Sequence, residues 1–116
     1  LFPYTTLFRS MEHENCPCME TCPLNRAMAL IGGKWKMQIL CSLYNNGPTR
    51  YNQLKKTLDG VSNTVLANAL RELEGDGLVH RQEYLEVPVR VEYAITEPCR
   101  QLIPILDALG DWSMAL

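Results

Sequence analysis

The chain has 116 residues, 47% of them hydrophobic, with a formal charge of −2 and five cysteines. This length suits one domain with a modest core; no apolar run reaches the roughly 20 residues of a membrane span, and no basic stretch followed by a long apolar core marks a secretory signal. An odd cysteine count without an export signal points to a reducing cytoplasm and to thiol chemistry rather than a disulfide scaffold.

Residues 1–10, LFPYTTLFRS, resemble the in-frame translation of a sequencing-library adapter, and Met11 directly after them is a natural start. Pro3 and the Thr5-Thr6 pair break both helical and strand periodicity, so this segment is expected to be non-native and outside the fold. Residues 11–21, MEHENCPCMET, read as a short, polar, flexible arm, and residues 22–116 as the folded domain. His13, Cys16, Cys18 and Cys22 follow an H-x2-C-x-C-x3-C spacing that offers four tetrahedral ligands, which makes a zinc-responsive arm the alternative chemistry. The more specific pattern of two separated C-x2-C pairs is absent, so no metal and no cofactor is expected.

Cys22-Pro23 opens a first helix, PLNRAMALI, because proline at the first helical position loses no hydrogen bond. Gly32-Gly33 ends it. Cys22 is then the N-cap, with its sulfur at the positive end of the helix dipole and Arg26 one turn on; both favour thiolate, the reactive form. A second helix runs over residues 34–44 and stops at Asn45-Asn46-Gly47-Pro48. Trp35 at its start is expected to anchor core and interface, and Cys41 in its middle to be inert core.

Residues 51–58, YNQLKKTL, predict a third helix, followed by a tight Asp59-Gly60-Val61 turn. Ser62 then caps a fourth, SNTVLANALRELEGDG, which Gly75 and Gly77 stop. Leu66, Ala69, Leu70 and Leu73 fall at i, i+3, i+4 and i+7, so one face is buried. The opposite face carries Asn63, Thr64, Ala67, Asn68 and Arg71, short hydrogen-bonding groups and one cation that can lie flush in a major groove. Two alternating segments, VHRQEYL and VRVEYAIT, joined through Glu86-Val87-Pro88, read as a two-stranded wing, with His80 at its surface. Thr96 caps a last helix, whose Leu102, Ile105, Leu106, Leu109 and Trp112 form a broad apolar stripe. Pro104 should kink it slightly, and Cys99, in its first turn, could be exposed. A terminal helix with more apolar surface than one small domain can cover finds a partner helix.

Charge is segregated. Residues 26–71 hold Arg26, Lys34, Lys36, Arg50, Lys55, Lys56 and Arg71 against one acid, Asp59, while the other acids lie outside that segment. Local charge governs phosphate attraction within a Debye length of roughly 8 Å, so the mildly acidic total does not exclude nucleic acid. Together these signs give an α+β, mainly α fold: a winged helix-turn-helix that binds double-stranded DNA. No Ser-His-Asp set, phosphate-cradling glycine loop or inward carboxylate pair can be picked out, so no enzyme is expected. The competing reading is a winged helix that uses its basic face to dock a protein.

CPLNRAMALIGGKW, RYNQLKKTLDGVSNTVLANALRELEGDGLV and EVPVRVEYAIT, in that order and spacing, resemble the HxlR family of bacterial regulators, relatives of the MarR type. The likeness covers residues 22–112. It implies a homodimer with first and last helices as the dimer interface (Leu24, Met28 and Ile31; Leu102, Ile105, Leu106, Leu109 and Trp112), bound to a pseudo-palindromic operator. It also implies that Cys22 senses oxidants or electrophiles, with Cys16, Cys18 or Cys99 as candidate resolving thiols. Ser62, Asn63, Thr64, Asn68 and Arg71 form the expected reading face, joined by Lys55 before the turn and by Arg81 and Arg90 on the wing. Asn63, Thr64 and Asn68 are assigned to base edges, and Lys55, Arg71 and Arg90 to phosphates. Thr64 and Ala69 depart from the family, which often has a cation at these positions, and Cys99 stands where glycine is common.

Overall fold

The structure, a computed structural model, describes residues 22–116. The expectations placed on the adapter-like segment and on the cysteine-bearing arm lie outside the described residues. The chain divides into two units, Leu1–Gly32 and Gly33–Leu116. In the first, helix α1 (Pro23–Ile31) begins as its sequence requires. Cys22 is extended at φ −69° and ψ 131°, Pro23 follows as the first helical residue, and the Leu24 N–H donates to Cys22 Sγ at 3.4 Å. At the other end the Gly32 N–H closes onto the Met28 carbonyl at 2.6 Å.

The second unit runs α2 (Lys34–Asn46), β1 (Thr49–Arg50), α3 (Tyr51–Thr57), α4 (Asn63–Gly75), β2 (Val79–Tyr84), β3 (Arg90–Ile95) and α5 (Glu97–Met114). The strands form one antiparallel sheet in the order β1-β3-β2, with Val79 opposite Ile95 and Tyr84 opposite Arg90. The two expected wing strands, β2 and β3, pair as predicted, and a third, short strand not expected from the sequence extends the sheet. The added strand pairs Thr49 with Tyr93 and Arg50 with Glu92, and two residues are too short to show any alternation. Thr49 is buried there, its hydroxyl satisfied by donating to the Gly47 carbonyl at 2.7 Å.

Ile39, Leu40 and Leu43 of α2, Leu54 of α3, and Leu66, Leu70 and Leu73 of α4 make the centre of the core. Each isobutyl or sec-butyl group of this kind contributes about 1.5–3 kcal/mol when fully covered. Two cysteine expectations reverse. Cys41 is exposed, because the buried face of α2 is the one carrying Ile39, Leu40 and Leu43, and Cys41 lies between them on the helix surface. Cys99 is fully buried, one helical turn before buried Ile103, so the inward face of α5 starts at its first turn. The helix itself continues unbroken through Pro104.

The end of α4 is fixed by backbone bonds. Leu78 N–H reaches back to the Leu73 carbonyl at 2.9 Å and Gly77 N–H to the Glu74 carbonyl at 3.1 Å. This is a Schellman closure, with Gly77 at φ +80° in the left-handed position it requires. Thr96 secures the same turn, donating from Oγ1 to the Gly77 carbonyl at 2.7 Å while Oγ1 accepts the Cys99 N–H at 3.4 Å. Helices α4 and α5 thus share one anchor.

Gly75 and Gly77, two residues apart, should respond to substitution in opposite directions, even though neither would place a new Cβ within 4 Å of any atom. Gly77→Ala should lower unfolding free energy by about 1–2 kcal/mol, because a side chain resists positive φ. Gly75→Ala, within the helix, should raise it by about 0.5 kcal/mol. Urea unfolding of the two variants checks both signs.

Candidate nucleic-acid interface

The helix-turn-helix is set by what it buries. Leu54, Leu58 and Val61 are covered on the way through the turn, and Gly60 takes φ +89° to reverse the chain. Ser62, extended at φ −82° and ψ 160°, accepts the Val65 N–H on its hydroxyl at 3.1 Å and so satisfies one of the orphan donors of the α4 N-terminus. Leu66, Ala69, Leu70 and Leu73 are buried as their spacing predicted. Asn63, Thr64, Asn68 and Arg71 are exposed on the other side, with Ala67 half-buried between them. Ala69 faces the core, so the missing cation there takes nothing from the outer face.

The outer face is pre-arranged by hydrogen bonds. The Tyr51 hydroxyl lies 3.1 Å from the backbone carbonyl of Asn63 and 3.3 Å from its Oδ1, joining the first residue of α3 to the first residue of α4. Arg71 Nη1 donates to Asn68 Oδ1 at 2.8 Å across one turn of the helix. Tyr51 was missed by sequence reasoning, and nothing in the sequence could have marked a phenol that acts twelve residues downstream. Arg71 and Asn68, by contrast, stand three residues apart, a spacing that places two side chains side by side on a helix.

The cations divide into free and paired. Beside α3, an open groove of about 510 Å³ is walled by Arg50, Asn52, Gln53 and Lys56 on one side and by Arg90 on the other. Lys55, the cation assigned to phosphate, is half-buried, while Lys56 next to it is exposed. Lys36 is tied to Glu72 of α4 at 2.8 Å, so one member of the basic cluster is neutralised by an acid from outside the cluster. On the wing, Arg81 is 3.6 Å from Glu83.

Arg90 departs furthest from expectation. Its guanidinium bonds Glu86 at 2.8 Å and Glu92 at 2.6 Å and lies 3.8 Å from the centroid of the Tyr84 ring. The hydrogen bond from Arg90 holds the Glu86 carboxyl below the usual carboxylate range. A depressed carboxylate contributes its pairing above its unfolded pKa and loses it as pH falls through the lowered value, so at neutral pH the clamp is closed. Two carboxylates around one guanidinium leave a net negative site, which does not attract phosphate. Arg90 therefore braces the wing instead of serving as a free phosphate contact.

The apolar faces assigned to assembly are only partly available. Leu24 and Met28 of α1 are about half exposed, and Ile105, Leu109 and Trp112 of α5 are more exposed still, Trp112 at 62%. Leu102 and Leu106 are half-buried, on the flank between that stripe and the inward Cys99–Ile103 face. Ile31, grouped with the interface, is 8% exposed and has little surface left to offer. Trp35 is half-buried, with the Lys34 ammonium 4.6 Å from its ring centroid.

The thiols differ in setting. Cys22 is 2% exposed, and its sulfur receives a helix N-terminal N–H. Burial pushes the Cys99 thiol above its ordinary range. Cys41 is raised as well, first by burial of its sulfur and then by the Asp107 carboxylate, although most of the residue is exposed. Among the described residues no group of three or more His, Cys, Asp or Glu side chains is placed to hold a metal ion, and no helix is long and apolar enough to cross a membrane.

The profile of the HxlR-like helix-turn-helix family matches residues 30–116. An HTH-type transcriptional regulator of Halalkalibacterium halodurans, BH0655, is 42% identical over 92 residues, which cover 79% of this chain and 81% of that protein. One from Methanothermobacter thermautotrophicus is 44% identical over 91 residues, covering 78% of this chain and 69% of that protein. Among solved structures, the redox regulator HypR in its oxidised form superposes with a TM-score of 0.74 at 37% identity, over 82% of this chain and 97% of that one. The reduced form of YodB from Bacillus subtilis gives a TM-score of 0.73 at 33% identity, over 80% and 91%. The helix-turn-helix with its wing, the family profile and these relatives agree: the chain belongs to the HxlR-like family of helix-turn-helix transcriptional regulators.

Proposed function

We propose that this regulator binds a pseudo-palindromic operator in double-stranded DNA as a homodimer and that oxidants or electrophiles act on it through Cys22. The observation that carries the DNA reading is the two-sidedness of α4. Its Leu66–Leu73 side is fixed in the core, while Asn63, Thr64, Asn68 and Arg71 stand outward on a helix capped and braced at both ends. Side chains of this length reach base edges only when the helix axis enters the groove. Lys56 and Arg50, flanking the groove beside α3, supply sequence-independent phosphate contacts in place of the clamped Arg90.

Two reading helices use a palindrome only if they are held about 34 Å apart, which requires a second copy of the chain. The exposed Ile105, Leu109 and Trp112 stripe of α5 supplies the apolar surface for it, with Leu24 and Met28 of α1 as a second exposed pair. The input rests on Cys22 as N-cap, where the helix N-terminus stabilises thiolate. HypR, named a redox regulator, has solved oxidised and reduced forms, and the transcriptional regulator YodB has solved reduced and diamide-treated forms. With a peroxide, one oxygen passes to the Cys22 thiolate, giving sulfenic acid and, after protonation, water. A second thiol, Cys16 or Cys18 of the arm or a cysteine of the other subunit, then displaces that hydroxyl as water and forms a disulfide. Cys99, buried and held protonated, is a poor second thiol.

Protein docking and DNA binding separate on salt. Operator affinity should fall steeply with salt concentration, and Lys56→Ala should shallow the log–log slope by about one. Arg90→Ala should change that slope less, since its charge is already compensated. A salt-independent interaction would contradict DNA binding.

Assembly and input have their own tests. Leu109→Glu with Trp112→Ser should yield a monomer by sedimentation that no longer prefers operator over random duplex; a variant that remains dimeric places the interface elsewhere. Cys22→Ser should keep operator binding and lose release by peroxide or quinone, while Cys41→Ser responds normally. A full response in Cys22→Ser removes Cys22 as the sensor, and metal content of the arm becomes the next measurement.

A further inference from the structure

We infer that Val65 is a specificity-determining residue of α4, packing its methyl groups against the C5-methyl of a thymine in the major groove. The inference rests on the proposed role of α4 as the reading helix and adds to it the chemistry of one base. Leu66, Leu70 and Leu73 of the same helix are almost fully covered, whereas Val65 is 42% exposed. At 100° per residue it stands one place after Thr64 and three before Asn68, and residues three apart are neighbours on a helix surface. Both of those polar neighbours are exposed. The first turn is held in place, because the Val65 N–H donates to Ser62 Oγ at 3.1 Å and Asn63 is tied to the Tyr51 hydroxyl. A helical valine keeps one strongly preferred χ1 rotamer, so its methyl groups are already oriented before DNA arrives. Two turns on along the same flank, Glu72 is paired with Lys36 at 2.8 Å, which offsets an acid that would otherwise repel phosphate.

A single exposed apolar side chain means little on an ordinary surface. Val65 differs by its place, in the first turn of the helix, where a reading helix meets base edges. The major-groove edges of guanine, adenine and cytosine present hydrogen-bond donors and acceptors, and thymine alone adds a methyl group. Valine over guanine O6 and N7, adenine N6 and N7 or cytosine N4 would strip water from a polar atom and return no hydrogen bond. Over the thymine methyl it covers apolar surface with apolar surface and leaves nothing unpaired. The feature recognised is the methyl itself, so 5-methylcytosine should satisfy Val65 where cytosine does not.

The test uses a duplex that the full chain selects from a randomised library, with its thymines replaced one at a time by deoxyuridine, which removes only the C5-methyl. In the wild type, one thymine in each half-site should lose affinity by roughly fourfold on this exchange, the effect of uncovering one methyl-sized group. Val65→Ser should bind the thymine and deoxyuridine duplexes equally at that position, and Val65→Ile should restore the difference. Placing 5-methylcytosine there should improve wild-type binding over cytosine by a similar factor and leave Val65→Ser unchanged. Circular dichroism confirms that each variant is folded. If no thymine responds to deoxyuridine in the wild type, or if Val65→Ser keeps the full response at every thymine, the inference is overturned. The reading helix survives that result provided Asn68→Ala still changes discrimination at some base pair. If the library yields no preferred sequence, or Asn68→Ala weakens selected and random duplexes alike, both fail.

Discussion

Burial of one side of α4 is the constraint on which the rest of this molecule depends. Leu66, Ala69, Leu70 and Leu73 fix the rotation of the helix about its axis, and a rotation of one residue would bring a polar group into the core. Losing a fully covered leucine from such a seam costs about 2–5 kcal/mol, far more than any outward hydrogen bond can return. The outward residues are thus placed by contacts they do not make. Ser62 at one end and the Schellman closure at Gly77 then fix where along its axis the helix begins and stops. Both ends are also tied to other elements, through the Tyr51 hydroxyl and through Thr96.

Electrostatics refines this placement more than it drives it. A count of basic residues overstates the field available to DNA, because Lys36 is matched by Glu72 and Arg90 by Glu86 and Glu92. Arg50, Lys56 and Arg71 stay exposed on or beside α3 and α4. Exposed ion pairs contribute only about 0–1 kcal/mol to folding. The Arg90 clamp matters instead for shape, since it ties Glu86 of the loop between β2 and β3 to the start of β3 and stacks on Tyr84. A wing braced by its own charges presents a surface of defined form rather than a loose cation.

The fold was legible wherever one rule acted alone. Apolar periodicity gave α4 and α5, cap residues gave their starts at Ser62 and Thr96, and alternation gave β2 and β3. Where two elements had to be known together, sequence reasoning failed. Strand β1 exists only as the partner of β3, and Cys41 and Cys99 changed places because the side of α2 and α5 that turns inward depends on their mutual packing. The same limit applies at the candidate site. Asn68 and Arg71 were assigned separate tasks, bases and phosphates, but they are bonded to each other. Arg90 reads in the sequence as a free cation, but Glu86 and Glu92 close over it. Charge lists treat side chains as independent, and here they are not.

The central claim is that the outer face of α4 enters the major groove twice on one operator. Methylation interference with dimethyl sulfate measures this directly, because guanine N7 lies in the major groove and adenine N3 in the minor. The account predicts interference at guanine N7 in two clusters whose centres are about 10 base pairs apart, on the same face of the duplex. Interference confined to adenine N3, or a single cluster bound by one subunit, would contradict it.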